Sequence, residues 1–185
     1  MIVVTGLRSG TSLMMQTLRL MGLQIIGQAF HDNFSHKELN PKGYWDLPIK
    51  ETWNGLNTDL YKGCAVKLGG YQLSKTDPKY VKKIIVCERN KDATIASILR
   101  IMKADIDISG IKPTVDNAEM SYNSNSYLID EYVKNKEHIR IKYEDMLLKT
   151  KETSLILSRF LQIVPEIDPI IDNIIKGKVC QLQQS

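Results

Sequence analysis

The sequence predicts an α/β domain in which helices cover both faces of a central, mainly parallel sheet. Short apolar runs typical of buried strands alternate along the chain with longer segments of helical periodicity. A chain of 185 residues that is 43% hydrophobic and 25% charged has the size and composition of an ordinary globular domain. We therefore expect one three-layer domain over residues 1–185, with no internal repeat and no low-complexity linker.

Apolar runs too short for buried helices mark the predicted strands. They cover residues 2–5, 64–68, 83–88 and 139–142, and the run at 83–87 gives the strongest strand signal. A further apolar run at 23–26 precedes a polar stretch. Strands separated by helical segments are typical of parallel sheets, because a parallel pair needs a crossover connection.

Apolar residues three and four positions apart mark the predicted helices. The longer ones span residues 12–21, 92–103, 118–135 and 152–162. Shorter helices are predicted at 47–57, where Gly55 interrupts the pattern, and at 170–176. Residues 104–117 are predicted as loop, so the stretch 104–135 is the segment most free to shape a ligand pocket.

Charge and cysteine content narrow the possible partners. The net charge is +4 and the basic residues are scattered, which suits a small anionic ligand and does not indicate nucleic acid. Cys64 and Cys87 lie in or beside apolar runs and are expected to be buried, reduced thiols, while Cys180 lies far from both. No apolar run approaches the length of a membrane span or of a signal sequence, so we expect a cytoplasmic protein without a membrane partner.

The loop after the first predicted strand has the layout of an anion site. It reads Gly6-Leu7-Arg8-Ser9-Gly10-Thr11-Ser12 and leads into a helix, whose first amides and dipole favour an anion. In the Walker A pattern a lysine follows the second glycine, whereas here Thr11 follows Gly10. Gly6 and Gly10 are also one residue closer together than the two glycines of that pattern. Arg8 can bind an oxyanion through two hydrogen bonds instead. The alternative is a tight turn with a purely structural role.

This loop resembles the 5′-phosphosulfate loop of the sulfotransferase family, in which a basic residue precedes a Ser/Gly-Gly-Thr-Ser/Thr sequence. The resemblance implies a P-loop-type α/β fold and the donor 3′-phosphoadenosine 5′-phosphosulfate (PAPS), with 3′-phosphoadenosine 5′-phosphate (PAP) as product. It also implies that the segment from Arg8 to Ser12, with Ser9, Gly10 and Thr11, holds the phosphosulfate without a metal ion.

A second segment resembles the 3′-phosphate motif of the same family. Arg89 ends the strongest predicted strand, and Ser97 follows eight residues later within a helix. By resemblance Arg89 and Ser97 clamp the 3′-phosphate, although Lys91 stands where the family usually has proline. The alternative is that Arg89 is a surface ion-pair partner and that Ser97 only fills a position in an amphipathic helix.

Shorter matches extend the resemblance over most of residues 1–163. The sequence NPKGYWD at 40–46 places Asp46 where the family often has glutamate. The sequence KYEDML at 142–147, with RFL at 159–161, resembles the family's YEDL and FLG ending, although residues 143–145 are also explained by a strand end and a helix cap. The family's late glycine-rich loop has only the sequence KGK at 176–178 as a counterpart.

These observations predict a sulfotransferase that moves the sulfuryl group from PAPS to a hydroxyl or amine of a small-molecule acceptor. Arg8 would stabilise the charge on the leaving oxygen, and Lys67, at the end of an apolar strand, would be a second cation. The first candidate for the base is Asp46 and the second is His31, ahead of His36 and Glu51. The stretch 27–46 is expected to line the acceptor pocket with residues 104–135. The alternative is an ordinary surface segment in which Tyr44 and Trp45 pack into the core. The alternatives are a non-catalytic nucleotide-binding module and a P-loop kinase-like phosphotransferase.

Overall fold

A computed structural model describes residues 1–29, 43–104, 112–170 and 172. In these ranges five strands form one sheet in the order β2-β3-β1-β4-β5, and every neighbouring pair is parallel. The strands are β1 (Ile2–Thr5), β2 (Ile25–Ile26), β3 (Ala65–Lys67), β4 (Lys83–Glu88) and β5 (His138–Lys142). The α/β class and all four predicted strands are confirmed. The short edge strand β2 was not predicted as a strand, because two residues carry no periodicity.

Helices cover the sheet on both sides. They are α1 (Thr11–Leu20), α2 (Ile49–Thr52), α3 (Gly70–Lys75), α4 (Lys91–Ala104), α5 (Val115–Val133), α6 (Tyr143–Leu148) and α7 (Thr150–Leu161). The predictions for α1, α4, α5 and α7 agree to within three residues at each end. The predicted helix at 47–57 is only the short α2, and α3 and α6 were not predicted. The predicted helix at 170–176 and the KGK sequence at 176–178 lie mostly or wholly outside the described residues.

The strands pack on both faces because successive side chains point to opposite sides of a sheet. On one face Val4 and Ile85 pack with side chains of α1, α6 and α7, among them Met14 and Leu157. On the other face the neighbouring strand residues, such as Ile84, pack with side chains of α3 and α5. The two apolar clusters and the sheet between them form the expected three layers.

The strand order places the ends of β1 and β4 at a switch point. The connection from β1 runs through α1 to β2 at one edge, and the connection from β4 runs through α4 and α5 to β5 at the other edge. Neighbouring strands whose connections leave in opposite directions open a crevice at their carboxyl ends, where open α/β sheets bind ligands. The loop at residues 6–10 and Arg89 therefore meet at this crevice.

The predictions for Cys64 and Cys87 are confirmed. Both thiols are free, with exposed fractions of 6% and 3%, and burial raises the pKa of the Cys87 thiol to about 12. Cys180 lies outside the described residues. Within the described ranges, no helix has both the length and the apolar character that a membrane span requires.

Gly6 provides a test of how tightly the loop after β1 is packed. Gly6 has φ +137°, and an added Cβ would collide with Ser9 Oγ and lie 2.5 Å from the carbonyl oxygen of Cys87. Gly22 has φ +86° but open space around it, so Gly22→Ala carries the backbone strain without the collision. We expect Gly6→Ala to lower the free energy of unfolding by about 3 kcal/mol and Gly22→Ala by about 1 kcal/mol. Chemical denaturation measures both, and equal losses would contradict the close packing of Gly6.

Candidate functional site

The loop after β1 places the start of α1 at the crevice. Gly10 is the residue before α1 and has the left-handed conformation, with φ 90°. No side chain caps the helix at this position, so the first amides of α1 are not bound by a capping group. These amides and the positive end of the helix dipole favour an anion at the mouth of the loop.

Arg8 connects the two predicted anion motifs. It is a non-glycine residue with φ 53°, and its Nε donates a hydrogen bond of 3.1 Å to Ser97 Oγ. Ser97 is buried in α4. The structure therefore brings Ser97 to Arg8, whereas the sequence motif paired Ser97 with Arg89.

Two further arginines act electrostatically on Arg8. Burial lowers the pKa of the Arg8 guanidinium, Tyr44 opposes this effect, and the positive charges of Arg100 and Arg89 lower the pKa further. Arg100 was not among the predicted site residues. Its position in α4, three residues after Ser97 and so on the same helix face, could have indicated it. Such a group of like charges is unfavourable without an anion and favourable around one.

Lys67 brings another cation to the start of α1. Its Nζ lies 2.8 Å from Asp46 Oδ1 and 3.4 Å from Ser12 Oγ, and it also donates to the carbonyl oxygen of Tyr44. Burial lowers the pKa of the Lys67 ammonium, and the Asp46 carboxylate opposes this effect. Because β3 is the neighbour of β1, the strand at its side supplies the lysine that the loop itself lacks.

The structure places Asp46 beside this cation. The Asp46 carboxylate is the ion-pair partner of Lys67, and its backbone carbonyl accepts a hydrogen bond of 2.9 Å from Gln28. The residue before it, Trp45, has φ 58°. His31, the second candidate for the base, lies outside the described residues. Asp46 is therefore at the site, but its carboxylate is already engaged by Lys67.

Arg89 lies on the other side of the loop, after the end of β4. Its guanidinium carbon lies 4.8 Å from the centroid of the Tyr143 ring, and the same ring packs against Gly10, where an added Cβ would be 2.5 Å from Tyr143 Cδ2. The strand end and helix cap predicted at 143–145 are only partly confirmed. The strand β5 ends at Lys142, but residues 143–145 already belong to α6, whose cap position is Lys142 without a side-chain cap. The contact of this ring with the loop was not predicted.

A polar cleft of about 670 Å³ adjoins Arg89. It lies between the carboxyl ends of β4 and β5 and the helix α5, which contributes Tyr122, Asn125 and Ser126 from the predicted pocket segment 104–135. Ser9 lines the same cleft, and its buried Oγ has no hydrogen-bond partner among the described residues. Ligand clefts commonly measure about 300–1,000 Å³, so this one can hold a nucleoside-sized group.

Comparison with models of protein families and with curated proteins gave no match. Among the residues that the structure describes, no three His, Cys, Asp or Glu side chains are grouped closely enough to hold a metal ion. The candidate site consists of one loop at the start of a helix, the basic side chains around that loop and an adjoining polar cleft.

The lowered pKa of Lys67 predicts how anion binding depends on pH. Its ordinary pKa is 10.5 and burial lowers it, so the ammonium loses its proton before the pH reaches that value. Only the charged form attracts an anion. We expect the affinity for inorganic sulfate to fall as the pH rises toward 10.5, and to fall less in Lys67→Arg, because arginine remains charged there. Calorimetric titration with sulfate at several pH values measures the affinity of both proteins. If the affinity falls equally with pH in both, Lys67 does not contribute to anion binding.

Proposed function

We propose that this protein is a PAPS-dependent sulfotransferase that transfers a sulfuryl group to a hydroxyl or amine of a small molecule. The observation that carries the proposal is the position of Lys67 beside a helix start that lacks the Walker lysine, with Arg8 in the preceding loop and Arg89 on the other side of that loop. These side chains offer fixed positive charge without a metal ion. Such charge suits a donor with anionic groups at both ends.

The residues present fit the two anionic ends of PAPS. The phosphosulfate would lie against Arg8, Ser9, Gly10, Thr11 and Ser12 at the start of α1. There the glycines allow close approach, and Ser9 has a buried hydroxyl without a hydrogen-bond partner among the described residues. This set of groups offers backbone amides, hydroxyls and a guanidinium, which are the donors that an oxyanion requires.

The other half of the donor would lie at the carboxyl end of β4. Arg89 would bind the 3′-phosphate, with Ser97 contributing its hydroxyl, since a hydroxyl can accept the bond from Arg8 while donating another. The nucleoside would occupy the polar cleft beside Arg89.

PAPS supplies the sulfuryl group. The acceptor oxygen or nitrogen forms a bond to sulfur while the bond from sulfur to the bridging phosphate oxygen breaks, and that oxygen keeps the electron pair. Arg8 and Lys67 stabilise the charge that develops there, and loss of one such donor typically costs about 10²–10³ in rate. The acceptor proton passes to a base, for which we propose Asp46 first and His31 second.

The surroundings of Ser12 favour this proposal over a P-loop kinase. In the Walker pattern the hydroxyl that follows the lysine binds Mg²⁺. Here Ser12 Oγ donates to the carbonyl oxygen of Tyr44 and lies 3.4 Å from the Lys67 ammonium. A magnesium ion at that hydroxyl would be repelled by the lysine.

The ion pair between Asp46 and Lys67 favours the second candidate, a nucleotide-binding module without catalytic activity. A carboxylate 2.8 Å from an ammonium is already paired, and it must leave or share that partner before it can take a proton. Binding of the donor beside Lys67 provides a competing anion that could release Asp46. The two functions therefore differ in turnover and not in binding.

The deciding assay follows PAPS consumption and PAP formation with a library of alcohols, phenols, amines and sugars in the presence of a metal chelator. We expect turnover with at least one acceptor class. Binding of PAP without any turnover would favour the module. Binding that requires Mg²⁺ and prefers ATP would favour the kinase and contradict the proposal.

Replacement of Arg89 tests the second anion contact. Arg89→Ala removes a charge-assisted hydrogen bond to the 3′-phosphate, so we expect PAP binding to weaken by about 2–3 kcal/mol. Arg159→Ala is the matched control, because Arg159 is an exposed arginine in α7 and belongs to a different helix from the site residues. Isothermal titration of both variants measures the effect. Unchanged affinity in Arg89→Ala would show that Arg89 does not bind the nucleotide.

Replacement of Asp46 tests the base. Asp46→Asn keeps the shape of the side chain but cannot take a proton, so we expect most turnover to be lost while PAP affinity is retained. Steady-state kinetics and PAP titration of the same sample separate the two effects. Near-normal turnover would show that Asp46 is not the base, so that either His31 takes the proton or the acceptor is acidic enough to need no base. Loss of PAP binding would show that Asp46 has a structural role.

A further inference from the structure

Tyr143 lies at the junction of the two loops that form the anion site. Its ring packs on Gly10 in the loop after β1, and the Arg89 guanidinium lies over the same ring at 4.8 Å from the centroid. The side chain is 8% exposed, yet Tyr143 belongs to none of the apolar clusters found among the described residues. Its neighbours Ile141 and Met146 do belong to the core. The ring of Tyr143 therefore contacts both the loop after β1 and the Arg89 side chain.

The next residue makes a second connection to the same loop. Glu144 Oε1 accepts a hydrogen bond of 3.2 Å from the backbone amide of Asn90, which directly follows Arg89. Asn90 in turn accepts from the amide of Ala93 through its side chain and so caps the start of α4. The first turn of α6 thus holds the segment after β4 from two directions, at the guanidinium of Arg89 and at the backbone of Asn90.

We infer that Tyr143 is a positioning residue that couples the two anion subsites, with Glu144 anchoring the segment that carries Arg89. The ring fixes the separation between the loop at residues 6–10 and the Arg89 side chain. A ligand with two anionic groups then meets both subsites at a preset spacing and loses little freedom in ordering them. The ligand class that gains from this coupling is a doubly anionic nucleotide, so the inference rests on the proposed function for the identity of its ligand.

The coupling acts through the ring of Tyr143, which contacts both Gly10 and Arg89. A cation over an aromatic face is attracted by the ring quadrupole, which phenylalanine retains and leucine lacks. Both substitutions keep an apolar side chain beside Gly10. Tyr143→Phe should therefore behave as the unmodified protein does, whereas Tyr143→Leu should release Arg89.

Hydrogen exchange of the ligand-free protein tests the positioning role without any assumption about function. We expect Tyr143→Leu to speed amide exchange in both segments, 6–10 and 89–91, and Tyr143→Phe to leave both unchanged. Tyr132→Leu is the matched control. The Tyr132 hydroxyl donates to the carbonyl oxygen of Thr76, and its ring packs in the apolar cluster on the face of the sheet covered by α3 and α5. Unchanged exchange in either segment of Tyr143→Leu would overturn the inference.

Titration with PAP and with inorganic sulfate tests the coupling. We expect Tyr143→Leu to weaken PAP binding about tenfold, with a smaller change for sulfate, which fills only one subsite. In the Arg89→Ala background the same substitution should weaken PAP binding much less, because the guanidinium that the ring positions is gone. Equal weakening in both backgrounds would show that Tyr143 has only a structural role.

The two experiments separate the inference from the proposed function. If the unmodified protein does not bind PAP but exchange in both segments rises in Tyr143→Leu, the positioning role stands and the sulfotransferase proposal fails. If PAP binds and Tyr143→Leu matches the unmodified protein in affinity, the proposed function stands and the positioning role fails.

Discussion

The burial of positive charge beside the first turn of α1 is the constraint on which the rest of the site depends. Burial lowers the pKa values of both Arg8 and Lys67, and the positive charge of Arg8 lowers the pKa of Lys67 further. Partial compensation comes from Asp46 and from the Tyr44 carbonyl, which bind the Lys67 ammonium. A protein that keeps such groups out of water holds a site in which a bound anion gains strongly from their charge.

The sheet topology creates this concentration of charge. Because β3 and β4 flank β1 in the sheet, the carboxyl ends of these strands deliver Lys67, the loop at residues 6–10 and Arg89 to one crevice. The α4 helix adds Ser97, which accepts a hydrogen bond from Arg8. The first turn of α6 then holds the loop and Arg89 together through Tyr143. The chemistry of the site thus depends on strand order as much as on any one motif.

The predictable part of the molecule is the part encoded locally. Longer helices and the main strands follow from periodicity, and the glycine-rich turn between β1 and α1 follows from consecutive residues. The short elements β2, α3 and α6 were missed because a few residues carry no period. The contacts of Lys67 with Asp46 and of Arg8 with Ser97 join residues distant in sequence, and they depend on which strands are neighbours, which periodicity does not specify. The electrostatic effect of Arg100 on Arg8 was not predicted either, because it depends on where the fold places Arg8.

A crystal structure of the protein grown with PAP and a metal chelator would show whether the nucleotide binds at the crevice. We expect Arg8 and the loop amides to bind the 5′-phosphate at the start of α1, and Arg89 to bind the 3′-phosphate. We also expect Lys67 to face the 5′-phosphate and the nucleoside to lie in the cleft beside α5. A nucleotide bound elsewhere, or one whose phosphates contact neither Arg8 nor Arg89, would contradict the proposed site.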